Sequence, residues 1–242
     1  MVIDATGVHY KELNEQIRAA VADGAKRIIV NNVLGQRYIG AGMMERVNIQ
    51  LNGTPGNDLA SFASGPTIVV HGNGQDGIGN TMSDGAVVIH GHAGDIVGHS
   101  MRGGEIFVRE DVGYRSGIHM KAYKGKRPLV VVGGRAGDFL GEYMAGGTLI
   151  VLGLGAGDRS PVGRFVGTGI HGGAILIRGE VDEALLAKEA AVLPLDDGDE
   201  RTLKHALDKF SRLFEIDRSE IDGEFIKLAP KSSRPYGQLY AY

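Results

Sequence analysis

The hydrophobic positions of this chain fall in short runs at a fixed interval. Aliphatic runs of four or five residues recur about every nineteen residues, clearest at Thr67-Ile-Val-Val-His71, Ala86-Val-Val-Ile-His90, Leu129-Val-Val-Val132 and Thr148-Leu-Ile-Val151. Each is followed by a Gly-rich turn carrying an Asp, then a Met or aromatic residue, then Gly-Gly, as in Asp95 to Met101-Arg-Gly-Gly104. Runs this short and this β-branched suit strands rather than helices. About fourteen residues separate successive runs, too few for a crossover helix with a loop at each end. The chain can instead turn at glycines with positive φ and lay each strand in parallel on the one before. A period of this size marks a stacked repeat fold.

Degenerate copies extend the array upstream. One runs from Ile28 through Gly35, Gly40 and Gly42 to Met43, and another from Val47 through Leu51 and Asp58 to Gly65. Glu105-Ile-Phe-Val108 opens a turn lengthened by a basic insertion, and Ala174-Ile-Leu-Ile177 closes the series. The expected fold is all-β, a right-handed parallel β-helix of about eight coils. With strands about 4.8 Å apart, that makes a rod of roughly 40 Å. Right-handed coiling is expected because the strict hexapeptide repeat of left-handed β-helices is missing. Met82, Met101 and Met144 recur at one phase and should stack inside the rod.

The flanks follow other periods. Leu13, Ile17, Ala20 and Val21 lie at helical spacing over Tyr10 to Ala22, and Arg27 to Val30 reads as a strand. Beyond Gly179, Asp182 to Val192 and Asp199 to Phe214 both read as helical, the latter with Leu203, Ala206, Leu207, Phe210 and Leu213 on one face. Lys227 to Tyr242 has no periodicity and reads as an arm. The expected division is a helix-strand cap over 1–27, the β-helix over 28–179, and a helical extension with its arm over 180–242.

Composition narrows the chemistry. The chain has 242 residues, 39 Gly, 7 Pro, no Cys and a net charge of -3. Without Cys it carries no disulfide, thiolate zinc site, Cys-ligated cluster or Cys nucleophile. The charge predicts no general attraction to nucleic acid or an anionic membrane. No apolar stretch reaches the length of a bilayer span. The start lacks a basic n-region, so a cytoplasmic location is expected.

Several motifs imitate chemistry. Gly72-Asn-Gly74-Gln-Asp-Gly77 matches a dinucleotide fingerprint, but the next strand follows too soon for the helix that fingerprint needs. It is expected to be a coil corner, as is Gly153-Leu-Gly155-Ala-Gly157. Asp76, Asp95, Asp138 and Asp158 fall one per turn, so they should cap turn amides rather than gather round a calcium ion. His71 and His90 sit at equivalent positions and should stack, with Asn52 and Arg109 extending the row; a polar ladder is expected ahead of a metal site. Arg102, Arg109, Arg115, Lys121, Lys124, Lys126 and Arg127 form the one basic concentration, suited to solvent, an acidic partner or a phosphate. No convergent carboxylate pair of the glycosidase type is apparent.

The phrase Gly137-Asp138-Phe-Leu-Gly141-Glu142-Tyr143-Met144-Ala-Gly146-Gly147 resembles the C-terminal GXGXG domain of the glutamate synthase large subunit. Asp95 to Gly104 and Gly167-Thr-Gly-Ile-His-Gly-Gly173 fit the same pattern, and the likeness runs from about Ile28 to Gly179. Similar repeats occur in the C subunit of formylmethanofuran dehydrogenase and in the third subunit of N-methylglutamate synthase.

The resemblance implies a right-handed β-helix that scaffolds, here as a stand-alone chain. Its implied partners are a glutamine amidotransferase subunit and a synthase subunit that carries FMN and an iron–sulfur cluster. Neither cofactor is expected in this chain, and self-association is left open. No catalytic, cofactor-binding or metal residue maps onto it. The rival from another class is a free-standing β-helix enzyme acting on a carbohydrate or acyl substrate.

Overall fold

The computed structural model describes residues 1–232. Its elements, in order, are β1 (Val2–Asp4), α1 (Tyr10–Ala22), β2 (Arg27–Leu34), β3 (Asn48–Thr54), β4 (Thr67–His71), β5 (Ala86–Ile89), β6 (Glu105–Val108), β7 (Leu129–Val132), β8 (Ala145–Val151), β9 (Gly172–Arg178), β10 (Ala190–Leu193), α2 (Asp197–Phe214), α3 (Arg218–Ile221) and β11 (Phe225–Pro230). The strands form one ladder in the order β1 to β9, then β11 and β10. Pairing is parallel from β1 to β9 and antiparallel for β11 and β10. This is a parallel β-solenoid of about six turns rather than the eight coils expected. Counting aliphatic runs counts strands, and the outermost runs begin and end the rod without adding complete circuits.

Register turns the sequence period into continuous rows. Ile28, Ile49, Ile68, Val87, Ile106, Val130, Leu149 and Ile175 align strand upon strand, all essentially inaccessible to solvent. Two positions along each strand, Val30, Leu51, Val70, Ile89, Val108, Val132, Val151 and Ile177 make a second buried row. Between them lies a row that points outward, from Gln50 and Val69 to Val88, Phe107, Val131, Ile150 and Leu176. From Val88 onward this row packs beneath α2, whose Ala206, Leu207, Phe210 and Phe214 are buried against it. The predicted methionine row is present: Met82, Met101 and Met144 are buried, joined by Met43 and Met120.

Each corner alternates left- and right-handed residues. Arg115, Gly117 and His119 have φ of 55°, 73° and 55°, and Phe139, Gly141 and Tyr143 have 63°, 68° and 52°. The expected glycine is therefore the middle member of a triplet, flanked by side chains held in a costly conformation. Hydrogen bonds to neighbouring coils hold that geometry: the amides of Arg115 and His119 donate to the carbonyls of Asp138 and Glu142 at 2.9 Å each. A Cβ at Gly141 would lie 2.6 Å from Ile175 Cδ1 and 3.3 Å from Leu149 Cδ1, so those buried side chains would have to shift.

The ends depart most from expectation. A first strand, β1, precedes the predicted helix and pairs with β2. Leu13, Ile17 and Ala20 of α1 cover the open end of the core. Asp182 to Val192 is not helical: it holds a 3-10 turn at Glu183–Leu185 and then β10. Antiparallel pairing with β11 stabilises Ala190–Leu193 as a strand despite its helix-forming composition. Lys227–Pro230 lies in β11, while residues 233–242 of the expected arm lie outside the described residues.

Candidate functional site

The predicted Asp residues work as an inter-coil ladder. Asp76 Oδ1 accepts from the Asp95 amide at 2.9 Å, and Asp95 Oδ1 accepts from the Tyr114 amide at 2.8 Å. Asp138 Oδ1 likewise accepts from the Arg164 amide at 2.8 Å. The bonds reach the next coil rather than the residue's own turn. Asp158 falls outside this ladder, since Arg164 occupies the position stacked on Asp138. The long loop between β8 and β9 breaks the spacing that made Asp158 look equivalent. A second ladder, unmarked by sequence repetition, runs through Asn73, His92 and Asp111, ending on the Arg135 amide at 2.7 Å. The amide of Arg164 holds the Asp138 carboxyl below its ordinary range; burial works against it, and the Arg164 guanidinium adds to the lowering.

His71 and His90 stack as predicted, with centroids 4.7 Å apart and planes inclined by 27°. Asn52 pairs in register with His71 and continues the row to Asn31 through a 2.6 Å amide bond. Phe214 of α2 meets the edge of His90 at 5.2 Å. Burial lowers the proton affinity of His90, and the neighbouring His71 and Arg109 lower it further. Among the described residues no group of three His, Asp or Glu side chains is placed to hold a metal ion.

The basic concentration divides when folded. Arg115 pairs with Glu142 at 2.9 Å and lies 4.5 Å from the Phe139 ring centroid. Lys126 pairs with Asp84 at 2.7 Å. Arg109 belongs to a different groove of about 380 Å³, shared with His92, Asp111 and Arg159. Arg102 and Lys121 line one open groove of about 400 Å³ with Ser100, His119, Tyr143, Ala145 and His171, and Lys124 lies 5.3 Å from the Tyr123 ring that Arg102 also approaches. His119 stacks on Tyr143 there, with centroids 5.4 Å apart. His119 and Tyr143 went unnoticed in sequence because their corner column is held elsewhere by Phe62, Thr81, Ser100 and Gly169, and His171 because it ends the column of Arg102 and Lys121 in which Ser83 and Ala145 also stand.

Gly72 to Gly77 is a corner, as expected: Gly74 and Gly77 donate to His92 and Asp95 carbonyls of the next coil at 2.8 and 3.0 Å. Those amides are already used, and no helix separates β4 from β5. The phosphate-binding reading of that motif therefore loses the Gly74 and Gly77 donors it would rest on.

Corner glycines and carboxylates bonded to neighbouring coils define this chain as a stacked-repeat parallel β-solenoid. The chain belongs to the family described as GXGXG motif, whose model matches residues 9–231. It is also similar to a protein of Methanocaldococcus jannaschii named "Uncharacterized protein MJ1350", with 50% identity over 250 residues, covering 99% of this chain and 96% of the relative. No helix among the described residues is long and apolar enough to cross a membrane.

Proposed function

We propose that this chain is a non-catalytic scaffold subunit of a split glutamate synthase, holding an amidotransferase subunit against an FMN and iron–sulfur synthase subunit in the cytoplasm. The supporting observation is the use of its carboxylates. Asp76, Asp95, Asp111 and Asp138 accept backbone amides of neighbouring coils, and Glu142 and Asp84 are engaged by Arg115 and Lys126. Groups that could act as acid or base are thereby committed to rigidity. A stiff rod serves catalysis by positioning, since fixing two reacting modules removes much of the entropy of bringing them together. Membership of the GXGXG family is compatible with this reading, and the Gly-Asp-x-x-Gly-x-x-Met-x-Gly-Gly phrase, which resembles that of the glutamate synthase large subunit, supports it. With no Cys, the chain offers no thiolate for a cluster, so that group falls to a partner.

A tagged chain recovered from its native lysate should bring down both partner subunits, identified by mass spectrometry. The purified chain alone should make no glutamate from glutamine and 2-oxoglutarate. Recovery of molybdenum or tungsten enzyme subunits instead would move it to a formylmethanofuran-type assembly. Glutamate formation that persists through stringent purification would overturn the scaffold reading.

A further inference from the structure

We propose that the groove around Arg102 and Lys121 binds a small tetrahedral oxyanion of the phosphate or pyrophosphate class. The two cations occupy equivalent positions on adjacent coils: the Arg102 amide donates to the Met82 carbonyl at 2.8 Å, and the Lys121 amide to the Met101 carbonyl at 3.0 Å. Like charges placed directly opposite on neighbouring strands repel and destabilise a sheet. Elsewhere the fold answers such cations with carboxylates, Asp84 for Lys126, Asp138 for Arg164 and Glu142 for Arg115. Among the described residues no carboxylate lies within ion-pairing distance of Arg102 or Lys121. The net charge of -3 makes this local surplus a feature of the groove rather than of the chain. An anion seated between the two would convert the repulsion into two charge-assisted contacts, the guanidinium fork supplying orientation.

The neighbouring groups suit an oxyanion. Ser100, His119 and His171 line the same groove, residue types that can hydrogen-bond an oxyanion. Tyr123 lies 5.8 Å from the Arg102 guanidinium and restrains it, leaving less freedom to lose on binding.

The extent of the charge selects a small ligand over a long one. Along this column the residues preceding Arg102 are Ser64 and Ser83, and the residue following Lys121 is Ala145. The fixed positive charge of the column therefore spans two coils, about 5 Å from strand to strand; His171 follows Ala145 in it, and Lys124 lies to the side against the Tyr123 ring. An acidic peptide or nucleic acid needs cations spread along its backbone, and the column does not provide them.

Calorimetric titration of the full chain with pyrophosphate at low ionic strength tests this. Saturable binding is expected, weakened about tenfold or more by Arg102→Gln or Lys121→Gln. Lys204→Gln, which removes an exposed charge on α2, should leave it unchanged. In the unaltered protein, the ring resonances of His119 and His171 should move with added pyrophosphate while those of His205 stay fixed. This readout remains usable where a variant folds poorly. No saturable binding, equal loss in Lys204→Gln, uniform movement of all histidines, or tighter binding of succinate or a poly-glutamate peptide would each overturn the proposal.

Discussion

At the scale of single residues, this molecule is governed by columns: a side chain meets its equivalent one coil away, so its neighbour is set by the repeat. Asp95 shows what that demands. Its Oδ1 accepts the Tyr114 amide at 2.8 Å, and earlier in the same column Asn57 does the same for Asp76 at 3.4 Å with an amide oxygen. The position therefore requires an acceptor, and the charge is secondary. Asp95→Ala should destabilise the fold by about 1–2 kcal/mol, whereas Asp95→Asn should retain most of the stability. Denaturant unfolding of the two variants distinguishes them, and equal losses would assign the effect to charge. Ser116 is the opposite case. It falls in the corner column otherwise filled by Ile78, Val97, Leu140 and Val166, and its buried hydroxyl finds no hydrogen-bond partner among the described residues. Ser116→Ala should raise the melting temperature, by the equivalent of about 1 kcal/mol, because an unpaired hydroxyl leaves the core. A lower melting temperature would show that the hydroxyl has a partner such as an internal water. The Asp ladder was legible in sequence because it repeats. The orphaned hydroxyl was not: the nineteen-residue period sets position 116 in phase with the inward Ile78 and Val97, but nothing in the sequence shows that a hydroxyl there meets no partner.

At the scale of elements, the aliphatic runs record which faces are covered. In β3, Ile49 and Leu51 point inward and Asn48 and Gln50 do not, giving the alternation of a strand with one solvated face. In β7 all four residues of Leu129-Val-Val-Val132 are buried, because α2 covers the outer face. The helix is seated by Phe210, fully buried, and by Lys209 and His205, both of which bond to Glu105 of β6. Burial raises the proton affinity of Glu105, but the hydrogen bonds from Lys209 and His205 outweigh it and hold the carboxyl below its ordinary range. Phe210→Ala should therefore cost about 3–5 kcal/mol and loosen α2 before it disturbs the interior rows. Loss of helical circular dichroism ahead of the β signal on heating would show that order, and simultaneous loss would refute it. The strands from β2 to β9 and the α2 helix were readable from periodicity alone, whereas β1 and β11 were not. The switch from alternating to continuous runs carried the docking site of α2, and it is interpretable only once a covering element is in view. The strand at Ala190–Leu193 was unreadable, as its pairing with Leu228 and Ala229 is invisible to local propensity.

At the scale of the whole molecule, stability should be graded along the rod. In a solenoid each coil touches only its neighbours, so local opening depends on what covers each coil as well as on the shared ladder. Both interior rows run from β2 to β9, but α2 shields the outer row only from Val88 onward, and Gln50 has no such cover. The ends are closed unequally, by α1 at one and by β11 and β10 at the other, with Val192 and Leu193 of β10 exposed. Opening should be most costly at β6 and β7, where coils lie on both sides and a helix lies above. It should be less costly at β3, which shares the ladder but not the cover, and least at β1 and β10, each paired on one side only. Native-state amide exchange read by mass spectrometry would rank these segments directly. Protection rising from β1 through β3 to β7 would tie rigidity to coverage by α2. Equal protection across β3 and β7 would mean that the inter-coil ladders make the rod a single cooperative unit, so that its stiffness resides in the corners and the helix is dispensable to it.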